Sequence, residues 1–222
     1  VNGAVAHVYH KRDLPNNMVF DEVRYFSRGD QACVFEAHGT RFGINICEDT
    51  WYPDAPAAAK NAGAEVLLVP NGSPYHMGKQ SQRLETMRKN VSAQGLPMIY
   101  CNLIGGQDEL IFDGNSFALQ ADGSVAMEMP HCAEAIGYIS WNGSTLESET
   151  AKAPVLSTEA EVYQALVLGV RDYVTKNGFP GVLLGLSGGV DSALTLAIAC
   201  DAIGAEKVRA VMMPSPYTAD IS

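Results

Sequence analysis

Residues 1–141 alternate short apolar runs with turn residues, a pattern typical of strands joined by hairpins and helices. The spacing predicts strands at 4–9, 65–70 and 97–103, and a hairpin in which CVFEA and FGINIC flank the turn HGT. It predicts helices at 55–63 and 79–95; in the second, Leu84, Met87 and Val91 share one face. A further hairpin (SFALQ, VAMEM) and the strand AIGYISW follow. This order of elements predicts an α/β layered sandwich.

The periodicity stops at 142–157, where Ser, Thr, Glu and Pro dominate, so this segment is predicted to be a linker. A capping box (TEAE, 158–161) then opens a helix that ends near Gly178. The strand GVLLGL (181–186), the helix 190–204 and the strand VRAVMMP form a predicted βαβ unit. We therefore expect a first domain over 1–141 and a second over 158–222.

Composition narrows the class of protein. The 222 residues carry a net charge of −10, which disfavours nucleic acid as a partner. The five cysteines are scattered without a CxxC, which argues against a disulfide framework or a thiolate zinc site and favours a reducing cytoplasm. No apolar run is long enough for a membrane span, and no signal peptide is evident. The chain begins with Val and breaks off within a pattern, so we expect a piece of a longer protein.

A glycine loop, GLSGGVDS, joins the predicted strand at 181–186 to the predicted helix at 190–204. Ser187, Gly188 and Gly189 occupy the turn, where backbone amides at a helix start favour a phosphate. Asp191 would repel a bare phosphate, which points to Mg²⁺ between the two. The loop contains neither a Walker A lysine nor GxGxxG. The alternative is an ordinary glycine-rich turn with an acid in the first helical turn.

Cys47 ends a predicted strand and precedes Glu48, Asp49 and Trp51. A nucleophile at a sharp strand-to-helix turn is exposed beside free amides that can hold an oxyanion. Lys11, just after the first predicted strand, could steady a thiolate. The alternatives are a buried structural cysteine and a solvated lysine.

The motifs together resemble two known groups of enzymes. YHKRDLPN and GINICEDTWYP are similar to the segments that carry the Lys and the Cys of the nitrilase superfamily, and SGGVDS resembles the pyrophosphate loop of the ATP pyrophosphatases. Their order on one chain, with LPNNMVFDEVRYF, NGSPYHMGK and GGQDELIFDGNSF, resembles the family of glutamine-dependent NAD synthetases. This resemblance implies part of a nitrilase-like α-β-β-α sandwich followed by the start of a Rossmann-like parallel-sheet domain.

For the first domain the resemblance implies catalytic roles for Cys47 as nucleophile, Lys11 as oxyanion stabiliser and Glu22 as the glutamate that orients Lys11. It also implies a set of residues that bind glutamine: Phe20, Glu48, Ser73, Lys79 and Arg83. The family's general-base Glu is expected upstream of Lys11, yet residues 1–10 contain no acidic residue. Asn17 stands where the family commonly has an aromatic residue.

For the second domain the resemblance implies that Ser187, Gly188, Gly189, Asp191 and Ser192 cradle the phosphates of ATP, with Mg²⁺ on Asp191. Ser215 and Tyr217 would contact ATP, and Leu186 and Met213 would lie near its adenine. The implied reaction is the ATP-dependent amidation of nicotinic acid adenine dinucleotide to NAD with ammonia from glutamine. A homo-oligomer is also implied.

Three alternatives stay open at this point. The chain could be a stand-alone nitrilase-type amidase, which would need no ATP. It could belong to another ATP-pyrophosphatase amidotransferase, although those use different glutaminase folds. It could also be a non-catalytic nucleotide-binding module.

Overall fold

The structure is a computed structural model that describes residues 3–17 and 19–212. Its α-helices are α1 (Glu22–Tyr25), α2 (Asp54–Asn61), α3 (Lys79–Gln94), α4 (Thr158–Lys176) and α5 (Val190–Ile203). The strands are β1 (Cys33–Ala37), β2 (Thr40–Ile44), β3 (Val66–Asn71), β4 (Met98–Asn102), β5 (Ile104–Gln107), β6 (Leu110–Asp113), β7 (Phe117–Leu119), β8 (Val125–Glu128), β9 (Ile139–Trp141), β10 (Leu146–Ser148), β11 (Val182–Leu186) and β12 (Val208–Met212). Short 3₁₀ turns begin at Cys47 and Ala205.

A six-stranded mixed sheet in the order β1-β2-β3-β4-β7-β8 organises the first part of the chain. β2, β3 and β4 run parallel, and α2 and α3 make the two crossovers between them. Hairpins extend the sheet at both edges. Because parallel strands end at one edge of a sheet, the residues that follow β2 and β3 come together there.

The core lies between this sheet and its helices. Tyr100 of β4 and Phe117 of β7 are fully buried, and their rings stack with centroids 4.5 Å apart. Met87 and Val91 pack against them from α3, which ends at Gly95 in the left-handed conformation. The helical face predicted from the sequence is thus confirmed.

The second part of the chain is the predicted βαβ unit. β11 and β12 are parallel neighbours, and α5 connects them. α4 packs on α5, where Tyr163 Oη donates to Asp201 at 2.6 Å, and on its other side against the β5–β6 hairpin. The predicted α/β class is confirmed for both parts.

Three local expectations are wrong. The predicted strand at 4–9 does not form, and Val5 and Val8 are 83% and 66% exposed, since no strand of the described chain pairs with them. Residues 146–148 of the predicted linker form β10, which pairs with β9 and buries Leu146. α4 is capped by Ser157, whose Oγ accepts from the Ala160 amide, rather than by Thr158.

Among the residues described, no helix has the length and apolar character needed to cross a membrane.

Candidate active site

Cys47 occupies a tight bend at the carboxyl end of the parallel sheet. It follows β2 and opens a 3₁₀ turn, and its φ is +48°, a conformation that non-glycine residues adopt at a cost. The bend aims the thiol out of the sheet, as a nucleophile requires. The predicted position of Cys47 at a strand-to-helix turn is confirmed.

Lys11 and Glu22 form an ion pair beside this bend. Lys11 Nζ donates to both carboxylate oxygens of Glu22, at 2.7 and 2.8 Å. The two side chains are only 14% and 25% exposed, so solvent screens the pair less than it would at the open surface. Glu22 therefore orients the ammonium group of Lys11.

Burial and nearby positive charge shift the pKa of the Cys47 thiol in opposite directions. Burial raises the pKa of Cys47 above its ordinary value, while the charge of Lys11 and a backbone hydrogen bond from Gly72 lower it. The pKa is raised overall even with Lys11 present, so a base must take the proton when the nucleophilic thiolate forms.

Asp49 joins the Lys11 segment to the Cys47 bend, a role that the sequence did not reveal. Its Oδ1 accepts from the backbone amides of Arg12 and Asp13 at 2.9 and 2.8 Å. Its Oδ2 accepts from Tyr9 Oη and from the Ile46 amide, each at 2.8 Å. The residue is fully buried. One carboxylate thus fixes the residue after Lys11 and the residue before Cys47.

A cavity of about 210 Å³ opens over Cys47. It is smaller than the ~300–1,000 Å³ of drug-sized ligand sites, which suits a small substrate. The predicted residues Phe20, Glu48, Ser73 and Lys79 line it. Further residues in its wall are Asn17, Val19, Trp51, Pro74, Tyr75, His76 and Leu110. A similar cavity of about 220 Å³ near Met127 and Met129 is mainly apolar and is not lined by Cys47.

Two side chains of opposite charge, Glu48 and Lys79, line the cavity over Cys47. Lys79 Nζ lies 4.2 Å from the centroid of the Trp51 ring, in cation–π geometry. Burial lowers the pKa of Lys79 and raises that of Glu48, and each residue's charge opposes the shift of the other. Trp51 forms part of the cavity wall and also packs against the core cluster that contains Met87 and Tyr100.

The structure places Arg83 differently from its predicted role in substrate binding. Arg83 is fully buried, and its guanidinium group donates to both oxygens of Asp113 at 2.8 and 2.9 Å. It also donates to the Ser73 carbonyl at 2.8 Å and to Ser73 Oγ at 3.2 Å. Burial alone would raise the pKa of Asp113, but hydrogen bonds from His131 and Arg83 lower it to about 2. Arg83 thus holds Ser73 in the cavity wall instead of facing the cavity.

The glycine loop joins β11 to α5. Gly188 has φ +80°, and Gly189 caps α5. Ser192 Oγ donates to the Gly189 carbonyl at 2.9 Å and lies 3.2 Å from Ser187 Oγ. Asp191 is exposed in the first helical turn. The structure brings the five predicted phosphate-binding residues together.

The loop alone supplies too few oxygen ligands to hold a magnesium ion. Asp191 offers one carboxylate, with two serine hydroxyls nearby, and the described residues contain no cluster of three or more His, Cys, Asp or Glu that could hold a metal. Oxygens of a bound phosphate group would have to complete the coordination shell of the ion. Leu186 ends β11 beside the loop, whereas Ser215, Met213 and Tyr217 lie outside the described residues.

Two family models match the chain. The carbon-nitrogen hydrolase model matches residues 2–148, and the NAD synthase model matches residues 162–222.

Among curated proteins, the chain is 49% identical over 225 residues to the glutamine-dependent NAD(+) synthetase of Acinetobacter baylyi, covering 100% of this chain and 41% of that protein. It is 44% identical over 211 residues to the enzyme of the same name from Rhodobacter capsulatus, covering 94% of this chain and 38% of that protein. The chain thus spans about two fifths of the length of these relatives.

Solved structures show the same likeness. The glutamine-dependent NAD+ synthetase of Acinetobacter baumannii, in complex with ADP, superposes with a TM-score of 0.93 at 47% identity, over 99% of this chain and 42% of that one. A carbon-nitrogen hydrolase from Helicobacter pylori superposes with a TM-score of 0.52 at 28% identity, over 58% and 49% of the two chains.

Proposed function

The chain belongs to the carbon-nitrogen hydrolase family, and we propose that it is part of a glutamine-hydrolysing NAD synthetase. The observation that carries this proposal is the pairing on one chain of the Cys47 bend, with its Lys11–Glu22 ion pair, and a strand–glycine loop–helix unit matched by the NAD synthase model. A stand-alone amidase would have no use for the second feature.

In the proposed first reaction, the Cys47 thiolate attacks the carboxamide carbon of glutamine. The proton that the thiol gave up passes to the amide nitrogen, the C–N bond breaks, and ammonia leaves. A γ-glutamyl thioester remains, which water then hydrolyses to glutamate and the free thiol. Lys11 stabilises the negative charge on the carbonyl oxygen and on the thiolate. Glu22 keeps Lys11 in place, and Glu48 and Lys79 provide opposite charges for the amino and carboxylate groups of the substrate. Residues 1–10 contain no acidic residue that could act as the general base of this family.

In the proposed second reaction, the nicotinate carboxylate of nicotinic acid adenine dinucleotide is adenylated by ATP, and pyrophosphate leaves. Ammonia then displaces AMP to form the amide of NAD. Ser187, Gly188, Gly189 and Ser192 hold the phosphates that leave as pyrophosphate. A Mg²⁺ ion on Asp191 would offset their charge. We propose that the boundary between the two parts lies after β10 and before α4.

The test uses the full-length protein with nicotinic acid adenine dinucleotide, Mg-ATP and either glutamine or ammonium, with NAD measured by mass spectrometry. We expect Cys47→Ala to abolish NAD formation from glutamine and to leave formation from ammonium unchanged. Cys101→Ala, at an exposed cysteine that does not line the cavity over Cys47, is the matched control. Glutamine hydrolysis without NAD formation from either nitrogen source would instead favour a stand-alone amidase.

A further inference from the structure

The β5–β6 hairpin lies between α4 and the cavity over Cys47. On the α4 side, the Gly106 amide donates to Asp172 Oδ2 at 2.8 Å, and Lys176 Nζ donates to the Gly106 carbonyl at 2.7 Å. Asp172 and Lys176 also form an ion pair at 3.1 Å. Both polar groups of one hairpin residue are therefore bound by α4.

The contact between hairpin and helix is also sterically close. A Cβ atom at Gly106 would lie 3.2 Å from the Gly169 Cα, and one at Gly169 would lie 3.0 Å from Ile111 Cδ1. Glycines on both sides allow this approach. A contact packed this closely moves as a unit, because neither side has space to adjust alone.

On its other side the hairpin shapes the cavity over Cys47. Leu110 lines this cavity, and the Ile111 carbonyl accepts from the amide of Tyr75, another lining residue, at 2.7 Å. Asp113, the last residue of β6, anchors the buried Arg83, and Arg83 holds Ser73. Three lining residues thus take their positions from the hairpin.

A second connection reaches the start of α4. His131 Nε2 donates to the Glu161 carbonyl at 3.0 Å. The Asn115 amide lies 2.9 Å from His131 Nδ1 and donates to Asp113 Oδ2 at 2.7 Å. Both ends of α4 are therefore tied to the β5–β6 hairpin, one through Gly106 of β5 and one through His131 and Asn115 to Asp113 of β6.

We propose that α4 is a positioning element for the glutamine pocket, acting through the β5–β6 hairpin on Leu110, Tyr75 and Ser73. This inference rests on the proposed function of the cavity. A shift of α4 moves the hairpin and changes the affinity for glutamine, although no residue of α4 lines the cavity.

The test is Asp172→Ala in the full-length protein, assayed for glutaminase activity. The loss of the acceptor for Gly106 is expected to raise the KM for glutamine about three- to tenfold with a smaller change in kcat. Asp172→Asn keeps an acceptor and should restore the KM. Hydrogen exchange is expected to rise at 104–113 and at 72–79. Gly169→Ala, which pushes on Ile111, should act in the same direction and serves if Asp172→Ala fails to fold.

The matched control is Asp122→Asn, an exposed acidic residue in the β7–β8 turn that contacts neither α4 nor the hairpin. Faster exchange at 104–113 with an unchanged KM and unchanged exchange at 72–79 would overturn the inference. If the unmodified protein hydrolyses no glutamine, the proposed function fails. The exchange at 72–79 would then still report whether α4 positions the cavity wall.

Discussion

Lys11 is the residue whose charge favours the thiolate of Cys47, against the larger effect of burial. Replacement by Met removes the charge and keeps the length, so the pKa of the Cys47 thiol should rise further. The measurement is the rate of alkylation of Cys47 by iodoacetamide against pH, followed on its peptide by mass spectrometry. We expect the alkylation profile of Lys11→Met to shift to higher pH. The control is Lys60→Met, at a lysine of α2 that donates to the Gly95 carbonyl. If both variants gave the same alkylation profile against pH, the role of Lys11 would be contradicted.

Asp49 should matter for both stability and activity. In Asp49→Asn an amide NH₂ group must face donors that the carboxylate accepted, so buried donors lose their partner. The expected loss is about 3 kcal/mol in the free energy of unfolding. Glutaminase kcat should also fall, because the Lys11 segment and the Cys47 bend lose their shared anchor. Urea denaturation and steady-state kinetics measure the two effects.

The control is Asp54→Asn, at an exposed acid in the first turn of α2, which should change neither the free energy of unfolding nor kcat. Equal effects at both positions would refute the role of Asp49.

Sequence reasoning at this scale named the candidate reacting groups but missed Asp49, which holds their two segments together. Cys47 and Lys11 stand in recognisable motifs. In the structure Cys47 lines the cavity, and Lys11 lies close enough for its charge to lower the pKa of the thiol. Asp49 bonds Tyr9 and Arg12 from 40 and 37 positions away, and no local pattern records such partners. The resemblance assigned Arg83 to the substrate, but Arg83 is fully buried and pairs with Asp113, thirty residues further along the chain.

At the scale of elements, the packing of β10 against the first domain implies that this domain ends after β10, and this can be tested. Leu146 is 3% exposed and packs with Val66, Ala118 and Met127, and Gln120 brackets its backbone with two hydrogen bonds. Leu146→Ala should therefore cost about 2–4 kcal/mol of unfolding free energy, measured in urea.

Val155→Ala is the matched control, since Val155 lies in the same predicted linker and is 99% exposed. Its effect should stay within about 0.5 kcal/mol. Equal effects of the two substitutions would place β10 outside the folded unit.

Long periodic elements were predictable, and short ones were not. The sequence predicted α3 and α5 to within a residue or two, because a helix of three or more turns repeats its apolar spacing. β10 has three residues, too few to show a period, and its burial depends on the neighbouring β9. Residues 5–9 are mostly apolar, yet such a run forms a strand only where a neighbouring strand supplies hydrogen-bond partners.

At the scale of the whole molecule, α4 lies between the two sites. One of its faces contacts the hairpin that lines the cavity over Cys47, and another contacts the helix that starts at the glycine loop. The chain order of the motifs predicted two sites. It could not predict that a helix assigned to the second domain would bond to the first, because the bonds use the backbone of Gly106 and the carbonyl of Glu161.

The two proposed reactions should therefore be separable by single substitutions at opposite sides of α4. Asp191→Asn keeps the shape of the loop and removes the charge that would hold Mg²⁺ against the phosphates. NAD formation from either glutamine or ammonium should fall about 100-fold, while glutamine hydrolysis continues. Asp201→Asn, ten residues further along α5, is the chemically matched control. If Asp191→Asn lowered only the glutamine-dependent rate, the loop would act on the Cys47 site instead of on ATP, and the assignment of the glycine loop would fail.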